Sequence, residues 1–369
     1  MRAFVRQSGN WNRYVNATIN TWIAGCAMAL LVPAGVAAQA VSPGVFQFLH
    51  LPASPRITAL GGHLIAVSDG DASLAFANPA TLRDESHQFL SFNHNFQVSG
   101  MQSGYASYAH HWKKPALSTH FGILYANYGE FEWTDEYFST LGSFKANEYA
   151  VVLGVSREIE GRLRVGVNAK WIQSQLASYG SMGLAFDAGM LYSDTSSNVA
   201  VTVLFKNMGL QLTAYDELGE KSALPFEIQV GVSKQLKYLP LRFSLIYRYL
   251  DRWNILYDDP YGDRGITLLD GSTQERTATS IWLDNFFRHF VFNTELLLGK
   301  QQNFILRVGY NHLMRRELAI NNYGSLSGFS FGFGLKVRRF RIDYGRGVYH
   351  LAGGNHHFSI STHLSAFRR

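Results

Sequence analysis

Residues 328–337 read Gly-Phe-Ser-Phe-Gly-Phe-Gly-Leu-Lys-Val. Phe329, Phe331, Phe333, Leu335 and Val337 alternate with Ser330, Gly332, Gly334 and Lys336. Successive side chains of a strand point to opposite faces, so a period of two describes a strand with one apolar and one small or polar face. The pattern recurs on both sides of this stretch. In 162–173, Leu163, Val165, Val167, Ala169 and Trp171 oppose Arg164, Gly166, Asn168 and Lys170. In 240–251, Leu241, Phe243, Leu245, Tyr247 and Tyr249 oppose Arg242, Ser244 and Arg248. In 303–313, Phe304, Leu306, Val308 and Tyr310 oppose Arg307, Gly309 and Asn311.

Such segments predict strands near 88–98, 103–112, 117–128, 147–158, 162–173, 182–193 and 198–206. The remainder fall near 226–236, 240–251, 288–299, 303–313, 327–337, 338–346 and 356–367. That makes fourteen, an even number, as suits an outer-membrane barrel whose two ends lie on one side. Every second connection is tight: 113–116, 158–161, 194–198, 237–240 and 300–303. Longer ones are expected at 129–146, 207–225, 252–287 and 314–326. Short turns on one rim and long loops on the other are the asymmetry of such barrels. The reading is an all-β protein, a fourteen-stranded antiparallel transmembrane barrel over 88–369.

A secreted soluble β-sandwich would alternate as well, with its apolar side as an interior. Charges deep within the segments argue against it: Lys170, Asp187, Arg242, Arg248, Glu295, Arg307 and Asp343 suit a polar lumen where opposite signs pair. Tyr149, Trp171, Tyr192, Tyr249 and Tyr310 stand at strand ends, where aromatic girdles belong. Composition agrees. Of 369 residues 47% are hydrophobic, yet mean hydropathy is only −0.07. Disorder is excluded by that apolar share, and a helical membrane span by the absence of any run of about 20 apolar residues.

Residues 1–40 contain no acid, carry Arg2, Arg6 and Arg13, and end Ala38-Gln39-Ala40 after a short apolar run. They read as a secretory signal peptide for Sec-type export to the outer membrane. Removing it takes away the one cysteine, Cys26, and three of the 33 basic residues, so the mature chain carries +3 rather than +6. Thiol chemistry is thereby excluded, and a general call for acidic partners fades.

Residues 41–87 do not alternate. Fourteen strands enclose more space than wall side chains fill, and this segment is the expected plug, at the periplasmic end of the barrel. Within it Arg56, Asp69, Asp71 and Asn78 are expected to pair with lumen groups. It contains Phe46-x-Phe48-Leu49-x-Leu51-Pro52-x-Ser54-x-Arg56, then Ala59-Leu60-Gly61-Gly62, then Asp71, and Asn78-Pro79-Ala80-x-Leu82. This motif resembles the PorQ/PorV family of type IX secretion outer-membrane proteins, the PorQ branch more closely. Its second half, Asp71 to Leu82, is shared more loosely with FadL-like transporters of hydrophobic compounds. Pro55 stands where the family carries a small residue. Beyond residue 88 the likeness is one of barrel pattern. The resemblance implies a FadL-like barrel in a cell-surface attachment complex. There it would hold a PorZ-like surface protein beside PorU-like and PorV-like components that attach cargo to lipopolysaccharide. The alternative it implies is uptake of hydrophobic compounds.

No catalytic or cofactor motif is present: no Gly-x-Ser-x-Gly, no Walker loop, no dinucleotide fingerprint and no His-Glu-x-x-His. His110 and His111, and likewise His356 and His357, are neighbours along strands and diverge. The acidic run at Asp258, Asp259 and Asp263 fits no calcium loop and reads as a solvated turn. The expectation is therefore a non-enzymatic protein without metal or cofactor, in contact with outer-membrane lipid and lipopolysaccharide and not with nucleic acid. Exposed Trp and Tyr anchor protein interfaces. Trp133 and Tyr137 in 129–146, and Trp253, Tyr257, Tyr261 and Trp282 in 252–287, are the partner-binding candidates.

Overall fold

The computed structural model describes residues 44–159, 161–216, 219–256, 277–299, 301–318, 326–348 and 353–367, with backbone alone for 265–267, 273–275 and 349–350. The leader, Tyr257, Tyr261 and the acidic run 258–263 lie outside the described residues.

Alternating strands of this kind expose an unpaired edge unless the sheet closes, and here it does. The wall runs through β1 (Phe89–Phe96), β2 (Gln102–Trp112), β3 (Leu117–Thr134), β4 (Thr140–Glu158), β5 (Leu163–Leu176), β6 (Tyr179–Asp194) and β7 (Val199–Thr213). It continues through β8 (Glu227–Gln235), β9 (Leu241–Tyr247), β12 (Phe290–Leu298), β13 (Phe304–Asn311), β14 (Phe329–Val337), β15 (Phe340–His350) and β16 (Gly353–His363). Phe89 pairs with His363, so β1 meets β16 and the fourteen strands form a closed antiparallel barrel. A separate two-stranded hairpin, β10 (Gly265–Thr267) and β11 (Thr273–Glu275), lies in the connection after β9. Phe329, Phe331, Phe333 and Leu335 face outward and exposed, while Ser330 faces inward and is buried.

Six boundaries differ from the sequence expectation. The loop expected over 129–146 is mostly strand, because β3 and β4 run on to Thr134 and from Thr140. Cross-strand rings hold that extension: Phe131 stacks on Phe144 at 5.4 Å and Trp133 meets Phe144 edge-on at 6.4 Å. In the same way β7 continues through 207–213. The other two long connections contain helices, α2 (Ala278–Arg288) and α3 (His312–Glu317). Finally β9 stops at Tyr247, and Tyr249, expected as an outward girdle residue, takes a left-handed φ of +55° with the Arg248 and Arg252 guanidiniums over its ring. The final strand likewise ends at His363 and turns into a 3₁₀ segment, Leu364–Phe367.

The wall is uneven. Strands β3 and β4 have 18 and 19 residues, whereas β8, β9, β12 and β13 have 9, 7, 9 and 8. One side of the barrel is tall and the other low.

The segment before β1 fills the lumen from one rim to the other. The Val45 amide donates to the Ala223 carbonyl, 3.1 Å, in the long connection between β7 and β8. At the far end the Leu364 amide donates to the Gln88 carbonyl, 2.8 Å, on the tight-turn rim. The plug is expected at the periplasmic end, inside or under the barrel. It reaches the long-loop rim because Phe46, Phe48 and Leu49 bury there against inward Leu124, Val152 and Ile172. Deeper down, Ile57, Leu60, Leu64, Ile65 and Leu74 pack on inward Leu204, Ile246 and Val291. The inner wall is thus mixed rather than polar throughout, since the plug has apolar surface of its own to bury.

Candidate functional site

Ser54 caps a short helix, α1 (Pro55–Ala59), by accepting from the Ile57 amide at 3.4 Å. Pro55 sits at its first position, where a missing N–H costs nothing. The cap aims Arg56 at the wall. Its Nε and one terminal nitrogen donate to the two oxygens of Glu295 on β12, both at 3.0 Å. The same guanidinium donates to Asp69 at 2.8 and 3.0 Å and to Asp71 at 3.2 Å. On the wall, Glu295 also accepts from Arg242 at 2.9 Å and Arg307 at 3.2 Å, and Arg307 reaches Asp343 at 2.7 Å. Arg341 closes the set on Asp343 at 3.3 Å. Four guanidiniums therefore meet four carboxylates. Buried charges are tolerated only when paired and hydrogen-bonded, and every charge here is paired, with Arg307 Nη2 the one buried nitrogen of the cluster left without an acceptor.

Asn78 makes a second connection. Its side-chain nitrogen donates to the Ile65 carbonyl at 2.8 Å and to Thr202 Oγ1 on β7 at 2.9 Å, while its oxygen accepts from the Ala80 amide at 3.0 Å. Pro79 opens the next turn and Leu82 is buried beyond it. A third set joins Lys170 to Asp187, 2.7 Å, and to Asn207, 2.8 Å, with the ammonium over the Phe76 ring. A fourth joins Arg248 to Glu227 at 2.7 Å. Glu227 escaped the sequence reading because it opens its strand, where no alternation yet marks it as inward.

Backbone close approach completes the closure. Gly309 lies against the Leu60 and Gly61 backbone and Gly345 against the Pro55 carbonyl, leaving no room for a Cβ. Gly61 and Gly62 themselves take positive φ, +69° and +84°, to turn the chain beneath the wall. A cavity of about 170 Å³ lies at the long-loop end, lined by Phe48, partly buried Leu51, Gln97 and Tyr128 among others. Pro52 follows Leu51, also partly buried.

The loop candidates separate into two places. Trp133 and Tyr137 belong to the β3–β4 hairpin, whose tip turn Asp135–Ser139 leaves Tyr137 and Phe138 85% and 89% exposed. The Asp135 carboxylate holds that tip by accepting from the Tyr137 and Ser139 amides at 2.9 and 2.8 Å. Trp253 and Trp282 lie on the low side, ring centroids 5.9 Å apart. Asp284 and Asn285 of α2 were missed, since a helix in an expected loop gave no strand period to read. The carboxylate of Asp284 pairs with Arg316 of α3 at 2.7 Å and with Arg288 at 3.1 Å. Burial alone would raise its pKa, but those guanidiniums hold it below the usual carboxylate range. Burial lowers His312 beside it.

Among the described residues no group of three or more His, Cys, Asp or Glu side chains is placed to hold a metal. His356 and His357 do diverge: His357 meets Thr58 in the lumen at 2.8 Å, and His356 meets Tyr344 at 2.9 Å.

The fourteen-stranded barrel has counterparts among solved structures. Its fold is similar to that of the Ralstonia pickettii toluene transporter TbuX, with a TM-score of 0.52 and 11% identity over 86% of this chain and 99% of that one. A deltaS2 mutant of the TodX monoaromatic hydrocarbon channel aligns at 0.48 with 11% identity, over 84% and 96% of the two chains. A Pseudomonas aeruginosa FadL homologue aligns at 0.47 with 10% identity, over 84% and 97%. No protein-family model matches the sequence. No curated protein matches it. At such identity the likeness is one of fold, and cargo must be argued from the site.

Proposed function

We propose that the chain is an outer-membrane FadL-like barrel, closed by its own plug, that anchors a surface protein of the type IX secretion machinery through its tall hairpin. The observation that carries this reading is the β3–β4 hairpin. Eighteen residues at about 3.3 Å each and a tilt of about 40° rise about 45 Å, against an apolar band of about 25 Å. A ribbon tipped with Trp133, Tyr137 and Phe138 therefore stands about 20 Å above that band. Large amphipathic rings with few rotamers are the side chains that anchor protein partners. The motif from Phe46 to Leu82 supports a PorZ-like protein as the partner, beside PorU-like and PorV-like components. The ion-paired plug supports an anchor over a conduit.

A second reading, uptake of hydrophobic compounds, has the fold likeness to the toluene transporter and the cavity at Phe48 and Leu51 on its side. Of the two, the fold comparison favours uptake and the ion-paired plug favours anchoring. Deleting the gene and restoring it with or without residues 131–143 separates them. Anchoring requires the surface partner to be lost from cells that carry the shortened barrel. Uptake requires growth on a hydrophobic substrate to fall in the deletion strain while secretion continues, and that result would end the anchoring proposal.

A further inference from the structure

Helix α2 is inverted relative to a helix on a water-facing surface. In its second half the polar side chains Asp284, Asn285 and Arg288 turn toward the protein, while Thr279 and Ser280 of the first turn are exposed. Asn285 donates to the Trp253 carbonyl at 2.7 Å and accepts from the Ile255 amide at 3.2 Å. Asp284 and Arg288, on the same face, pair with each other, and Asp284 reaches α3. At about 100° per residue, Trp282, Leu283, Phe286 and Phe287 lie on the opposite side. Of these Trp282, Leu283 and Phe287 are exposed. A soluble helix buries the apolar face and wets the polar one, so this arrangement calls for an apolar surround on the outer side.

Two observations identify that surround. First, the rings are continuous with the outward face of the barrel. Trp282 stacks on Phe286 at 5.5 Å, Phe286 meets Phe290 at 5.0 Å, Phe290 meets Phe292 at 6.1 Å, and Phe292 meets Tyr310 at 6.4 Å. Tyr310 then meets Phe329 at 4.8 Å, so one aromatic band crosses from helix to wall. Second, the wall is low just here. Seven residues of β9 and nine of β12 reach about 18 and 23 Å at the usual rise and tilt, short of the apolar band of about 25 Å.

We infer that α2 lies in the outer leaflet, completing the lipid-facing surface above the short strands. Trp282, Leu283 and Phe287 contact acyl chains, and Asp284, Asn285 and Arg288 fasten the helix to the protein. Trp253 and Trp282 are then membrane anchors, and the partner-binding candidates reduce among the described residues to the hairpin on the opposite, tall side. This assignment requires that the barrel span a membrane and does not depend on which partner or cargo it serves.

The test uses the full chain in phosphatidylcholine vesicles, with Cys26→Ser as background and single cysteines carrying a nitroxide. Leu283→Cys and Phe287→Cys are compared with Phe331→Cys on the outward wall and Glu136→Cys at the hairpin tip. Oxygen partitions into lipid and a nickel chelate into water, so their relaxation effects report the surround. The expected result is that labels at 283 and 287 respond to oxygen over nickel by several-fold, as at 331, while 136 shows the reverse. Nickel-dominated relaxation at 283 and 287 with a lipid signal at 331 overturns the proposal. So does protection from both reagents, which would place a protein against the helix. A nickel-dominated signal at 331 overturns the membrane reading itself. Chain-brominated phosphatidylcholine gives a second measurement without labels. Quenching of tryptophan fluorescence should fall in Trp282→Phe, and unchanged quenching would count against the helix.

Discussion

The Arg56 guanidinium of the plug and the Glu295 carboxylate of the wall meet in a two-pronged ion pair, both bonds at 3.0 Å and both side chains 2% exposed. Removing one member of a buried pair strands the charges that remain. In Arg56→Ala, Glu295 keeps Arg242 and Arg307, whereas Asp71 loses its guanidinium and Asp69 one of two. A loss of about 3 kcal/mol is expected, read as a lower urea midpoint in micelles. Planar bilayers should also show ion conductance that the parent protein lacks. Arg56→Lys keeps the charge but not the fork, and should fall between the two.

Gly309 and Gly345 should prove intolerant of even a methyl group. At each, a Cβ would enter the backbone of the plug rather than a movable side chain. Gly309→Ala and Gly345→Ala should each cost about 1–3 kcal/mol, the usual range for overpacking. Gly142→Ala on β4, where nothing lies within 4 Å, should change stability by less than about 0.5 kcal/mol. The temperature at which the folded gel band converts to the unfolded one ranks the three.

These two predictions rest on features that the sequence displayed unequally. The wall was readable at Phe329 to Val337 because lipid and lumen impose opposite demands on adjacent residues, and Glu295 and Arg307 stood out as charges on its small or polar face. The hairpin beyond residue 128 was not, although Glu130, Phe131, Glu132 and Trp133 still alternate. Both of its faces are exposed, so the contrast that marks a wall strand is gone. Helix α2 stayed hidden for a related reason: a short helix in an expected loop region offers no period of two. Arg56 was read as a pairing group, yet its partner lies 239 residues away, and only folding brings Glu295 to it.

Acid should loosen the contact between α2 and α3 in two steps of the same sign. Burial lowers His312, so the unfolded state takes up its proton first and stability falls as pH drops through the usual histidine range. Asp284 is held below the usual carboxylate range by Arg288 and Arg316, against the effect of burial, so its contribution is present at neutral pH and lost as pH falls through that range. Protection factors for the amides of 278–288, corrected for intrinsic exchange at each pH, should decline in both windows. Asp284→Asn should remove the lower step and leave the upper one. A pH-independent protection would contradict the pairing.

The hairpin tip should carry binding without carrying stability. Tyr137 and Phe138 are almost fully exposed and touch no core cluster, so changing both to Ser removes little that the folded barrel uses. Asp135 continues to hold the turn through the amides at 137 and 139. An interface anchor is worth about 2 kcal/mol, so each lost ring should weaken the surface partner about 30-fold. The Tyr137→Ser, Phe138→Ser protein should therefore insert and resist heat as the parent does, yet fail to retain the partner in a pull-down from solubilised membranes. Retention at parental levels would move the docking site off the hairpin.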